Sequence, residues 1–129
     1  MKKNIFITGG GGFIGSHLVE RCIKLGHKVK VLSPYNIDNS WGWMDTFEEK
    51  IKKNIEVILG DVNDFNLIKK ETKKTDIIFH LAALISIPYS YKSPKSYLDT
   101  NIIGTYNILE AGRENNVELV VNTSTSEVY

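Results

Sequence analysis

An apolar strand, a run of glycines and an amphipathic helix follow one another at the start of this chain. Asn4-Ile5-Phe6-Ile7 leads into Thr8-Gly9-Gly10-Gly11-Gly12-Phe13-Ile14-Gly15, after which Ile14, Leu18, Cys22 and Leu25 recur at helical spacing. Glycines allow the backbone to turn tightly and to approach a ligand closely. The free amides of a helix N-terminus then attract an anion. Strand, glycine turn and helix in this order form the phosphate-binding element of a dinucleotide site. The same glycines without those flanks would describe a flexible surface loop.

The rest of the chain alternates strand and helix. Strands are predicted at Asn4–Thr8, Lys28–Leu32, Ile55–Leu59, Asp76–His80 and Leu119 to Asn122 or Thr123. Helices are predicted at about Ile14–Leu25, Asp64–Thr72 and Ser93–Asn115, with a shorter one near Asp45–Lys52. The second, fourth and fifth strands are nearly continuous in apolar and β-branched residues, as strands buried on both faces are. Helical crossovers imply parallel pairing and right-handed connections. The fold class is therefore α/β, a doubly wound parallel sheet of the Rossmann type in the order 3-2-1-4-5.

A length of 129 residues fits one domain. Ser124–Tyr129 follow the fifth strand with no closing helix and no sixth strand. We therefore expect residues 1–129 to be the NAD(P)-binding part of a longer polypeptide, with the substrate part C-terminal to it.

In the long helix, Leu98, Ile102 and Leu109 mark one stripe, and Asn101, Thr105 and Ile108 its neighbour. Gly104 lies between them, and a helical glycine usually answers a close-packing need. Asn101 has two readings, a surface polar residue or, favoured here, a buried one bonded to backbone.

Other function classes find no support. A formal charge of +1 gives no electrostatic reason to expect nucleic acid or an anionic membrane. The single cysteine, Cys22, sits at core spacing and suits a reducing cytoplasm. No secretory signal opens the chain, and the apolar stretch from Ile77 to Ile87 is shorter than the roughly 20 residues of a membrane span. His17, His27, His80 and Cys22 have no metal-ligand spacing, and no metal is expected.

Ligands of open α/β sheets bind beyond the C-terminal strand ends, where the strand order reverses. Four segments converge there: the glycine turn, Gly60-Asp61-Val62, Leu81-Ala82-Ala83 and Ser124-Thr125-Ser126-Glu127. Asp61 suits either an adenine amino group or a helix N-cap. Ala82 and Ala83 leave room for a cofactor. The last segment offers hydroxyls for a substrate oxygen and Glu127 as a general base; its other reading is a solvated turn.

Five blocks carry a resemblance. They are T-G-x-x-G-F-I-G at Thr8–Gly15, G-D-V at Gly60–Val62, H-L-A-A at His80–Ala83, T-N-x-x-G-T-x-N-x-L-E-A at Thr100–Ala111 and S-T-S-E-V-Y at Ser124–Tyr129. The chain resembles the extended short-chain dehydrogenase/reductases, and within them the NAD-dependent epimerase/dehydratase family that acts on nucleotide sugars. The resemblance implies cofactor contacts at Gly9, Gly12, Phe13, Ile14, Gly15, Ser33, Asp61, Val62, Leu81, Ala82, Ala83 and Thr100. Thr125, Ser126 and Glu127 match the pattern of the sugar 4,6-dehydratases, with serine where many relatives have aspartate.

By that resemblance Thr125 would bond the sugar 4-oxygen and Glu127 would remove the C5 proton. Oxidation at C4, loss of water across C5–C6 and hydride return to C6 would follow, with Glu127 or water protonating the departing 6-hydroxyl in place of the aspartate that this chain lacks. Tyr35-Asn36, Ser40-Trp41-Gly42-Trp43-Met44-Asp45 and Ile87-Pro88-Tyr89-Ser90-Tyr91 look like the subgroup that makes legionaminic-acid-type sugars from nucleotide-linked N-acetylglucosamine. Trp41 and Trp43 equally suit a hydrophobic lid over the sheet edge.

The family's Tyr-x-x-x-Lys pair comes later in its chains and has no counterpart here, so these residues alone should be inactive. Tyr129 is not that tyrosine. Strand two ends in Ser33-Pro34, with neither the acidic residue of many NAD sites nor an arginine for a 2′-phosphate; NAD is favoured and NADP stays open. A sugar 4-epimerase of the same family, or a dinucleotide-binding sensor without chemistry, are the competing readings. A homodimer is expected in the full-length protein, with the Ser93–Asn115 helix contributing to it.

Overall fold

The computed structural model describes residues 1–128; Tyr129, the last residue of the final motif, lies outside them. Five parallel strands form one sheet: β1 (Asn4–Thr8), β2 (Lys28–Pro34), β3 (Ile55–Gly60), β4 (Ile77–His80) and β5 (Leu119–Asn122). Their order is β3-β2-β1-β4-β5, the expected one. The first crossover from β1 goes to β2 and a later one passes to β4 on its other side. The crevice where the order reverses therefore lies above the end of β1.

Alternation along β1 divides the core. Ile5 and Ile7 pack on one face with Val19, Cys22, Val29, Val31, Met44, Ile51 and Ile55. Phe6 packs on the other with Leu32, Val62, Ile68, Ile78, Ile108 and Ala111. The first face is covered by α1 (Phe13–Lys24), a 3₁₀ turn at Gly42–Thr46 and α2 (Glu49–Lys52). The second is covered by α3 (Phe65–Glu71) and α6 (Gly104–Glu114). The middle strands β1 and β4 are thus largely covered on both faces, whereas β5, expected to be buried, is mostly exposed, Leu119 at 51% and Val121 at 39%, because among the described residues little packs on it.

Three helices depart from the expected pattern. In α1 the buried residues are Gly15, Ser16, Val19 and Cys22, while Ile14 and Leu25 are exposed. Glycine and serine at its start allow α1 to lie close to the sheet, and that closeness rotates the buried face by one residue. A helix absent from the sequence expectation, α4 (Ile87–Lys92), precedes α5 (Pro94–Tyr97); none of the residues of α4 is buried, so it has no apolar period to read. The long helix runs through α5, a π-helical segment at Leu98–Ile103 and α6.

Within that helix the stripe of Leu98, Ile102 and Leu109 is exposed, and the buried face is Gly104, Asn107, Ile108, Ala111 and Gly112. Asn101 meets its favoured reading in part: it is half-buried, and its Nδ2 donates to the Leu84 carbonyl while its Oδ1 accepts the Leu84 N–H, each at 2.9 Å. Gly104 also answers a packing need, since a Cβ there would lie 2.6 Å from Val62 Cγ2.

Gly104→Ala should therefore destabilise the protein by about 1–3 kcal/mol through overpacking, against the ~1 kcal/mol that alanine gains in helix propensity. Adding Val62→Ala should recover part of that loss. Urea unfolding of both singles and the double measures the coupling.

Candidate dinucleotide-binding site

The end of β1 delivers the chain into the glycine turn with Gly9 at φ +72°, in the left-handed region. A Cβ on Gly9 would lie 2.8 Å from both the Ala82 nitrogen and the Leu81 carbonyl carbon. The turn thus rests directly on the backbone that continues β4. It is closed by Gly12 N–H donating to the Gly9 carbonyl at 3.1 Å and tied to β2 by Gly9 N–H donating to the Leu32 carbonyl at 3.2 Å. Gly15 admits no side chain at all, because its Cβ would sit 2.2 Å from the Gly9 oxygen.

These contacts hold the N-terminus of α1 over the strand ends. Gly12 is the N-cap and offers no side chain to the first-turn amides. Such amides, together with the helix dipole, suit a pyrophosphate. Phe13 and Ile14 are the first two residues of α1 at this point. The Phe13 ring turns away to meet His17 and Trp43 edge-on, at centroid distances of 4.9 and 5.4 Å.

The loop after β2 lies against the turn from the other side. Trp43 N–H donates to the Gly11 carbonyl at 2.9 Å. The loop is braced by Asn36, whose Oδ1 accepts the Ser40 N–H, and by Asp45, whose carboxylate accepts the Ser40 hydroxyl and the Trp41 N–H. Those bonds hold the Asp45 carboxyl below its ordinary pKa, the Ser40 hydroxyl being the main cause. Trp41 packs on the core while Trp43 is exposed, so only Trp43 is a lid-like residue.

Ser33, at the C-terminal end of β2, is 2% exposed, and its hydroxyl has no hydrogen-bond partner among the described residues. It sits beside Gly11, where a Cβ would come within 3.3 Å of it. A buried, unsatisfied hydroxyl next to a phosphate-binding turn fits a ligand that brings its own polar groups. Residues 33–46 contain no lysine or arginine.

Of the remaining candidates, Asp61 is exposed, and its Oδ1 accepts the Asn63 N–H at 2.9 Å. Asp64, not Asp61, caps α3 by accepting the Leu67 N–H, which removes the capping alternative for Asp61. Val62 is buried against Gly104, and its carbonyl accepts from Asn107 Nδ2 at 3.0 Å. Its side chain and its carbonyl are thus both engaged within the fold. Thr100 lies in the π-helical segment and is half-buried.

Thr125, Ser126 and Glu127 are all exposed. His80 pairs with Asn122, and the Thr123 N–H donates to the His80 carbonyl at 3.1 Å. Pairing of β4 with β5 thus extends to Thr123, and residues 124–127 leave the sheet beside Leu81–Ala83. Thr125 Oγ1 accepts the Glu127 N–H at 3.2 Å, which fixes the local turn at Ser126–Val128.

The spacing Tyr91-x-x-x-Lys95 satisfies the Tyr-x-x-x-Lys pattern literally. Tyr91 belongs to α4 and Lys95 to α5, with a break at Ser93 between them. Lys95 pairs with Asp99. The two residues share no continuous helix face.

A family model described as GDP-mannose 4,6 dehydratase matches residues 6–129. The chain belongs to this family. It belongs with it to the wider NAD-dependent epimerase/dehydratase group. The UDP-N-acetyl-alpha-D-glucosaminuronate decarboxylase of Bacillus cytotoxicus is 37% identical over 129 residues, 100% of this chain and 38% of that protein.

Among solved structures, the UDP-N-acetylglucosamine 4-epimerase of Methanobrevibacter ruminantium, in complex with UDP-N-acetylmuramic acid, superposes with a TM-score of 0.84. It is 37% identical, over 100% of this chain and 40% of the other. The UDP-glucose-4-epimerase of Stenotrophomonas maltophila, with bound NAD and formylated UDP-arabinopyranose, gives 0.80 at 28% identity, over 98% and 38%. The chain thus spans about two-fifths of the length of these relatives. No helix among the described residues is long and apolar enough to cross a membrane.

His80, at the end of β4, is a residue whose role the sequence did not reveal. It is 2% exposed, and burial lowers its pKa from 6.5 to about 4. The unfolded chain therefore takes up the proton first as pH falls. The stabilisation from the neutral ring is fully present above about pH 6.5 and disappears by about pH 4, a total of roughly 3 kcal/mol. The stability difference between wild type and His80→Asn should shrink accordingly between pH 7 and pH 4.5 in urea unfolding.

Proposed function

We propose that this chain is the cofactor-binding part of a cytoplasmic nucleotide-sugar 4,6-dehydratase that uses NAD. The observation that carries the cofactor reading is the uncapped α1 N-terminus, clamped by Gly9 and Gly15 beside the unsatisfied hydroxyl of Ser33. A dinucleotide fits this arrangement: pyrophosphate at the first-turn amides, adenosine ribose toward Ser33, adenine toward Asp61. The absence of cations over residues 33–46 favours a free 2′-hydroxyl, hence NAD over NADP. Leu81, Ala82 and Ala83 would line the cofactor, the two alanines leaving room for it, and Thr100 would add a further contact.

Bound there, NAD would supply reversible hydride acceptance from the sugar C4. The chain's own contribution lies at residues 124–127. Thr125 would hold the 4-oxygen through its hydroxyl, Ser126 would add a second hydroxyl, and Glu127 would take the C5 proton, acidified by a ketone at C4. Their emergence beside Leu81–Ala83 supports this assignment. N-acetylated nucleotide sugars in the names of two relatives support a nucleotide-linked N-acetylhexosamine as substrate, in line with the legionaminic-acid-type subgroup.

Sugar 4-epimerisation is the second reading, favoured by the epimerases among the solved relatives. It shares the oxidation at C4 and omits the proton abstraction by Glu127. The exposed stripe of Leu98, Ile102 and Leu109, joined by Tyr106, supports a homodimer of the full-length protein. Tyr91 and Lys95 stand on separate helices, so residues 1–129 should not turn over alone.

Two experiments test this. Gly15→Ala should weaken NAD binding by at least about tenfold, because the Cβ forces the turn open; unchanged affinity in calorimetry would remove the turn from the cofactor site. In the full-length enzyme, Glu127→Gln should reduce water loss by about a hundredfold or more while C4 oxidation stays detectable. A product of unchanged mass from the wild type would establish epimerisation instead.

A further inference from the structure

The ring of His80 joins three elements through hydroxyls. Its Nδ1 lies 2.6 Å from Thr8 Oγ1 at the end of β1, and its Nε2 lies 3.0 Å from Thr105 Oγ1 on α6. Thr105 has already committed its proton, donating to the Asn101 carbonyl at 2.8 Å. Its oxygen must therefore accept from Nε2–H. Nδ1 then carries no proton and accepts the Thr8 hydroxyl. With its proton committed there, Thr8 Oγ1 presents a lone pair to the Ala82 N–H, 3.2 Å away. One chain of donors thus runs from Ala82 through Thr8 to His80, and from His80 through Thr105 to the Asn101 carbonyl, with a single consistent placement of protons.

We propose that His80 is a positioning residue for the cofactor wall: as the neutral Nε2–H tautomer it orients the Thr8 hydroxyl, and through it holds Ala82 against the glycine turn. This rests on the turn being a dinucleotide site. The backbone so held is the same Leu81–Ala82 segment that Gly9 touches, where a Cβ would meet it at 2.8 Å. Protonation would make both ring nitrogens donors and reverse the Thr8 hydroxyl. Among the described residues no charged side chain bonds to the ring, and desolvation alone accounts for its preference for neutrality.

A histidine that merely fills the core would stabilise the fold without favouring one side of the ring. Two substitutions separate the sides. His80→Asn places an amide oxygen where Nδ1 was and keeps an acceptor for Thr8. His80→Gln places an amide N–H where Nε2 was and keeps the Thr105 bond only. Each loses one hydrogen bond, so similar losses of stability are expected.

Affinity for NAD, measured by calorimetry on the intact protein, should divide them. His80→Asn should stay within about threefold of wild type, and His80→Gln should weaken by about tenfold, the scale of one net hydrogen bond. Thr8→Val should match His80→Gln, and Thr8→Ser should restore binding, a pair that decides the matter if the histidine variants fail to fold. Long-range proton–nitrogen spectra should place the proton on Nε2 at pH 7 and keep the ring neutral at pH 5.5. A proton on Nδ1 overturns the proposal, as does equal NAD affinity across these variants. A wild type that binds no nicotinamide dinucleotide, with the proton on Nε2, overturns both the functional reading and the cofactor role given to His80.

Discussion

The close approach of Gly15 to the Gly9 carbonyl is the constraint on which the rest depends. No L side chain fits a gap in which a Cβ would stand 2.2 Å from an oxygen. Helix α1 can therefore start immediately above the strand it follows. Gly9 in turn rests on the backbone beyond β4, so β1, β4 and α1 meet main chain to main chain. Main-chain contact of this kind cannot slide without breaking the Gly12–Gly9 and Gly9–Leu32 bonds that close the turn. The helix N-terminus is fixed in position before any ligand arrives, which lowers the ordering cost of binding.

Much of the fold was legible because parallel sheets write themselves plainly. Val29, Val31 and Leu32, with Lys30 the one charged residue among them, and Ile77-Ile78-Phe79 put apolar side chains on both faces, and every strand was found within two residues of its expected bounds. The glycine turn was equally legible, since its chemistry is local. Elements held by few apolar contacts were not. The α4 helix buries none of its residues, and the face of α1 is set by how closely glycine and serine allow it to approach. Neither fact has a period that a sequence displays.

The site divides along the same line. Backbone features such as the uncapped helix N-terminus follow from adjacent residues and could be read directly. Side-chain partnerships across the fold could not. His80 bonds to Thr8 and Thr105, which are 72 and 25 positions away. Ser33 was notable in sequence for lacking a carboxylate, yet its isolation is a property of the packed loop around it. Asp61 shows the reverse case: a residue with two plausible uses locally, one of which the neighbouring Asp64 takes over.

Relatives named as a decarboxylase and as a 4-epimerase match this region along its whole length. The cofactor half is made of main chain, and its geometry is fixed by glycines and strand register. Thr125, Ser126 and Glu127 are, by contrast, exposed side chains after β5 that make only local bonds, as Thr125 does to the Glu127 amide. Exchanging such side chains costs the fold almost nothing. Side chains at 124–127 can therefore change while the turn, the sheet order and the His80 hydrogen-bond chain stay in place. Residues 124–127 differ from the surrounding core in just that respect: the fold supports their position through β4–β5 pairing, and leaves their identity free.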